Sequence, residues 1–170
     1  QKMKLATIEA EWKTHPAPAA FTVVGFPDQE KEETTSAIKI PYVLGLIATR
    51  SISEPVHGIQ DLREHARARI VNGMQAYALL KKLKSGDDTP ENRAAFEQVK
   101  NDLGYGLLLK RYTDKVVDAT PAQIDQAARD TVPKVAPMFW AFRIMVACGF
   151  AMLLIFIYAF WLSTKHQQDK

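Results

Sequence analysis

The sequence is poor in the residues that build most familiar active sites. One cysteine, Cys148, occurs in 170 residues. A single thiol closes no internal disulfide and builds no cysteine-rich zinc site. The four histidines, His15, His57, His65 and His166, are scattered, and no two have the HxxxH spacing of a helical metal site. The eight glycines form neither a phosphate-cradling loop nor a nucleophile elbow. An excess of one charge is missing too. The formal net charge is +3, and ahead of Ala136 nineteen Lys and Arg are interspersed with eighteen Asp and Glu. That balance supplies no one-sided basic face for a nucleic acid. The chain opens at Gln1 without the basic, apolar and small-residue succession of a signal peptide. The expectation is a piece of a longer protein.

What is present divides the chain in two. The first 135 residues have the mixed composition of an extramembrane region. Ala136 to Leu162 then holds 27 residues with one charge, Arg143. As a helix this segment reaches roughly 40 Å, enough to cross a bilayer with some tilt. Met138, Phe139 and Trp140 at one end, and Tyr158 and Trp161 at the other, suit the two interfacial belts. Lys165 and Lys170 in the short segment 163–170 place that end in the cytoplasm by the positive-inside rule. The expected organisation is therefore an outer loop region over 1–135, a transmembrane helix over 136–162 and a cytoplasmic tail over 163–170. The fold class is mainly α: a helical extramembrane loop domain followed by one transmembrane helix, as a fragment of a multi-span membrane protein.

Within the loop region, Leu5, Ile8 and Trp12 make one apolar stripe and predict a helix from Gln1 to Lys13, stopped by Pro16 and Pro18. Phe21 to Val24 predicts a short strand broken by Gly25 and Pro27, followed by a charged loop over Glu30 to Ser36. The apolar run "IPYVLGLIATR" is too short to span and suits a buried segment or one lying at a membrane surface. Asp61 to Lys84 is the clearest helix, with Leu62, Ala66, Ile70, Met74, Tyr77 and Leu80 stepping by three or four and three lysines in its last turn. Thr89-Pro90 starts another helix with a stripe of Phe96, Val99 and Leu103. Two glycines loosen the backbone around Tyr105. Thr120 and Gln123 have capping-box spacing ahead of a further helix that Pro133 ends.

Few residues stand out as candidates for chemistry. Arg143, within the first turns of the apolar helix, needs a partner. A snorkelling arginine holding a lipid phosphate or a neighbouring carboxylate accounts for it as well as a fixed counter-charge to an anionic cofactor does. Met145 is ordinary packing or, through its thioether, an axial ligand to a low-spin haem iron. Gly149, four residues on and on the same face, leaves room for a flat macrocycle or a close helix. Lys4 and Glu9 are five apart, about 140° around a helix. Glu9 with Lys13 makes an ordinary i,i+4 pair; alternatively Glu9 accepts a proton from a hydroxyl-bearing substrate with Lys4 orienting it.

Four stretches in order, "KLATIEAEW", "FPDQE", "DLGYGLLLKRYT" and "VAPMFWAFRIMVACG", closely resemble subunit I of the cytochrome bd quinol oxidases of proteobacteria. The resemblance covers nearly the whole chain and is weakest between Ser51 and Glu97. It implies the periplasmic quinol-binding loop and the membrane helix after it, in an inner-membrane enzyme that oxidises ubiquinol or menaquinol and reduces O2 to water. By motif position Met145 matches the axial ligand of low-spin haem b and Arg143 the arginine that stabilises that haem, which makes a haem propionate its expected partner. Lys4 and Glu9 match the residues tied to quinol oxidation. The ligands of the high-spin haem b and haem d would lie outside these residues, so the fragment alone would be inactive. The resemblance also implies contact with subunit II, small membrane subunits and the lipid bilayer. For the stretch 51–100 the resemblance implies no role, and a lid or a docking surface is the open reading. The rival expectation is a single-pass membrane-anchored interaction domain, with Arg143 paired to a partner helix and no catalytic role.

Overall fold

Ala10 decides where the first helix stops. In the computed structural model, which describes residues 2–51 and 53–165, helix α1 spans Lys2–Glu9, shorter than the expected run to Lys13. Ala10 takes a left-handed φ of 51°. The Glu11 N–H then donates to the Ala6 carbonyl at 3.0 Å and the Ala10 N–H to that of Thr7 at 3.2 Å, the paired bonds of a Schellman cap. Past this turn Trp12 leaves the helical stripe and is buried. Its Nε1 donates to Thr34 Oγ1 at 3.0 Å, and that hydroxyl donates to the Ala10 carbonyl at 3.1 Å.

Thr34 belongs to a β-hairpin that the sequence reading divided differently. Strand β1 (Phe21–Asp28) runs through Gly25 and Pro27, and β2 (Glu33–Ile40) occupies much of the expected charged loop. The two pair antiparallel, with register irregularities between Thr22 and Val24 and between Val24 and Phe26. In a two-stranded sheet both strands are edges, so a proline without an N–H is tolerated. The Asp28 carboxylate accepts from the N–H groups of Glu30 and Lys31 at 2.9 and 3.1 Å and closes the turn. The fold is therefore mainly helical with one small sheet.

Helix α2 (Val43–Thr49) forms in the short apolar run, burying Leu44 and Gly45 while Leu46 and Ile47 stay exposed. Helix α3 (Ile59–Lys84) is the backbone of a separate helical lobe. Its expected stripe faces inward: Ala66 and Ile70 are buried, Leu62, Met74 and Tyr77 pack half-buried against the cores, and the buried face also includes Ile59, Gly73 and Ala76. Gly73 is buried because α5 (Leu103–Leu107) crosses it at Gly106. A Cβ on Gly106 would stand 2.3 Å from the Gly73 carbonyl oxygen, so Gly106 serves close backbone approach rather than looseness. Helix α4 (Pro90–Val99) begins at Thr89, whose hydroxyl accepts from the Asn92 N–H at 3.2 Å. None of its residues is buried. Helix α6 (Pro121–Asp130) carries the full Thr120–Gln123 capping box. Ile70, Leu109, Val116, Ala127 and Ala128 form the core of this lobe.

Helix α7 (Val135–Thr164) is, among the described residues, the one long and apolar enough to cross a membrane. Its thirty residues reach about 45 Å. Val135 and Phe139 are buried against Ala6, Ala10, Trp12 and Ile59, and the Gln29 side chain accepts from the Val135 N–H at 3.1 Å. The head of α7 is thus packed against α1 and the hairpin turn. From Ile144 onward its large apolar side chains are mostly exposed. His166 and Lys170, with most of the expected tail, lie outside the described residues.

Candidate functional site: a buried arginine clasp at the head of α7

Arg143 finds its partners within this chain. Its side chain is 9% exposed and that of Glu9 only 4%. Nη2 donates to Glu9 Oε2 at 3.0 Å and also to the Thr22 carbonyl. Nη1 donates to the carbonyls of Ile8 at 2.8 Å and Phe139 at 3.2 Å, and Nε to that of Val23 at 3.0 Å. A guanidinium has five N–H groups, and all five are used. The plane also lies 3.4 Å from the centroid of the Phe139 ring, a cation–π contact. Within this chain Glu9 and four backbone carbonyls are thus its partners, where the resemblance implies a haem propionate. The Ile8 carbonyl is one of the unpaired groups at the C-terminal end of α1, where a cation is favoured.

This arrangement follows from local choices upstream. The Schellman turn at Ala10 ends α1 so that Glu9 faces inward, and it moves Lys13 out of the i,i+4 pairing the sequence suggested. Irregular register around Val24 in β1 accompanies carbonyls of Thr22 and Val23 turned to the arginine rather than wholly to the ladder.

A second carboxylate shares the burial. Glu11 is 3% exposed; its Oε2 lies 2.8 Å from His15 Nε2, and its Oε1 has no hydrogen-bond partner, the nearest cation being Lys39 Nζ at 3.8 Å. Burial pushes the Glu9 carboxyl above the usual range, outweighing the opposing pull of Arg143, and the charge of Glu11 adds to the rise. Glu11 is also raised by burial, against the pull of His15, Lys39 and Arg143. Two carboxyls held above their ordinary values next to a fixed cation can exchange protons nearer neutrality than free ones can.

The remaining candidates are dispersed. Lys4 is exposed on α1, and among the described residues the structure does not bring it to Glu9. A cleft of about 300 Å³ between α1 and the end of α2 is lined by Lys2, Leu5, Ala6, Ala48 and Val56, and includes neither Lys4 nor Glu9. Met145 is 61% exposed, two residues past the buried Arg143 and on a different side of α7. Nothing lies within 4 Å of a Cβ placed on Gly149. A polarizable thioether on an open helix face, with unfilled space at a glycine one turn beyond, is donor chemistry that would suit a haem iron. Sequence reasoning missed Glu11 and its neighbours His15 and Lys39. The available signal was the pair of acids in "EAEW", immediately ahead of a tryptophan that tertiary packing buries.

Comparison with known proteins supports the resemblance along the entire length. Residues 1–168 match the family described as cytochrome bd terminal oxidase subunit I. The chain is 43% identical over all its 170 residues to cytochrome bd-II ubiquinol oxidase subunit 1 of Escherichia coli, of which it covers 33%. It is 25% identical over 99% of its length to cytochrome bd ubiquinol oxidase subunit 1 of Bacillus subtilis, covering 24% of that protein. It thus spans a quarter to a third of the length of these relatives. The chain belongs to the cytochrome bd terminal oxidase subunit I family.

Proposed function

We propose that this chain is the quinol-oxidising loop and the haem-bearing helix of a cytochrome bd-type terminal oxidase. In the full complex it would take part in oxidising ubiquinol or menaquinol and reducing O2 to water. The observation that carries this reading is the buried Arg143–Glu9 pair. It joins the residue matched to quinol oxidation to the helix turn that leads into Met145.

The residues divide the work. Glu9, buried with its carboxyl raised, accepts a proton from a quinol hydroxyl at the end of α1. Lys4, exposed on another side of α1 five residues earlier, would meet the head group from the solvent side rather than at Glu9. Arg143 holds Glu9 and the head of α7 in one geometry, and its cationic charge lies two residues from the proposed ligand. Met145 would hold the iron of low-spin haem b, and a haem so bound supplies one-electron acceptance. The ligands of a high-spin haem b and haem d lie on parts of the protein outside these residues. The loop would face the periplasm, α7 would cross the inner membrane, and subunit II and small subunits would pack around the exposed length of α7.

Met145→Leu in the full-length oxidase is expected to abolish the low-spin haem b signal in the reduced-minus-oxidised spectrum; an unchanged spectrum removes the ligand role. Glu9→Ala is expected to lower quinol-driven O2 consumption by about a hundredfold, with a smaller loss when an artificial dye donates the electrons. Equal loss with both donors would reduce Glu9 to a folding role.

A further inference from the structure

The geometry points to Glu11 and His15 as a proton exit that carries protons from Glu9 to solvent. This inference rests on the proposed quinol oxidation at Glu9 and adds two residues to it.

A proton acceptor as enclosed as Glu9 needs an outlet. Each quinol releases two protons along with two electrons, and a carboxylate that stays protonated cannot act again. The route the structure offers begins at Glu11, on the other side of the Ala10 turn. It follows Glu9 by two residues across that turn, and both carboxylates are buried, Glu11 at 3% and Glu9 at 4% exposure. Its side chain is 3% exposed, yet Oε1 has no hydrogen-bond partner. A carboxylate kept only for structure would normally have both oxygens satisfied, because an unmet buried acceptor is destabilising. An open oxygen is what a group receiving a proton requires. The other oxygen, Oε2, is 2.8 Å from His15 Nε2, and the His15 ring is 43% exposed. The His15 backbone is anchored: its N–H donates to the Val56 carbonyl at 3.0 Å and the Val56 N–H to that of His15 at 3.1 Å. An imidazole half in water beside a buried carboxylate suits transfer between the two. The charged and titratable groups facing Glu11 are His15, Lys39 of β2, Arg143 of α7 and Glu9 of α1. Lys39, 38% exposed and 3.8 Å from Oε1, favours return of Glu11 to its ionised form.

The balance is simple. A quinol hydroxyl gives its proton to the Glu9 carboxylate while the electrons leave to the oxidase's haem. The proton passes from Glu9 to Glu11, from Glu11 to His15, and from His15 to solvent, and each donor returns to its starting ionisation. Two passages clear the two protons of one quinol.

The test uses the full-length oxidase with ubiquinol and, separately, with a dye that delivers electrons without protons. Glu11→Gln is expected to slow ubiquinol-driven O2 consumption by at least about tenfold and to enlarge its solvent deuterium isotope effect, with the loss confined to ubiquinol. His15→Ala is expected to slow the same rate severalfold, with recovery on adding imidazole to the buffer. A Glu11→Gln rate within about twofold of the parent, an equal loss with both donors, or a His15→Ala defect that imidazole does not relieve would each overturn the exit. Should Glu11→Gln fail to accumulate, His15→Ala with imidazole decides alone, since that ring lies at the surface. Glu9→Gln separates the two levels. If it abolishes ubiquinol oxidation while Glu11→Gln and His15→Ala run at the parental rate, the exit fails and the quinol reading stands. If Glu9→Gln also keeps the parental rate, the quinol reading fails and the exit with it.

Discussion

The α1–hairpin–α7 head and the α3–α6 lobe use charge in opposite ways. In the head, Arg143 and Glu9 pair out of water, and the arginine is held by four further carbonyls. In the lobe, Arg67–Asp125 and Arg69–Asp102 join helices at the surface, with the arginines 46% and 44% exposed. Exposed pairs of this kind contribute little, because water and salt screen them. A buried pair is no bargain against an apolar core, but removing one partner strands the other and is strongly destabilising. The head therefore commits its charges to one geometry, whereas the lobe relies on apolar packing and tolerates loss of any one pair.

The largest expected effect is accordingly in the head. Glu9→Ala leaves the guanidinium buried without its counter-charge and should destabilise the full-length protein by about 3–5 kcal/mol, seen as a large drop in thermal unfolding temperature in detergent. A loss as small as that of a lobe pair would erase the contrast. Next is packing in the lobe. Gly106→Ala forces a methyl against the Gly73 backbone and should cost about 1–3 kcal/mol, measurable by the same melt. Glu11→Gln sharpens the comparison through pH. Its carboxyl is held above the ordinary 4.5 in the folded state, so its favourable contribution exists below that value and is lost as pH rises through the folded one. The glutamine variant should therefore be more stable than the parent at pH 7 by about 1 kcal/mol, with the advantage shrinking on acidification and gone below 4.5. Thr120→Ala removes half of the capping box and should cost about 1 kcal/mol. Arg67→Ala, at the exposed end of the scale, should change stability by no more than about 0.5 kcal/mol, and added salt should leave the difference smaller still.

The two regions also differ in how far they could be read in advance. The lobe was largely legible because its signals are local. The Thr89 and Thr120 caps, the lysines closing α3 and the three-to-four stepping of Ala66 and Ile70 each act within a few residues. Its one misreading, the glycines near Tyr105, arose because a close helix crossing depends on Gly73, thirty-three residues away. The head was legible only in part. Apolar composition marked α7 within one or two residues at each end, and the motif match singled out Glu9, Arg143 and Met145. The stop of α1 at Glu9 was missed because Ala10 takes a left-handed φ that a sequence usually signals with glycine. The hairpin was missed because Gly25 and Pro27 argue against a strand, except at an edge.

The sequence by itself determined a long apolar helix with one charge, a helical region before it and membership in an oxidase family. Those follow from composition, short-range capping and motif order, which need no knowledge of what folds against what. Only the tertiary structure decided the partner of Arg143. The residues that satisfy it come from positions 8, 9, 22, 23 and 139, brought together by the turn at Ala10 and the hairpin. No local pattern encodes a contact across more than a hundred residues. It exists because a buried guanidinium must place all five of its donors, and here only this convergence does so.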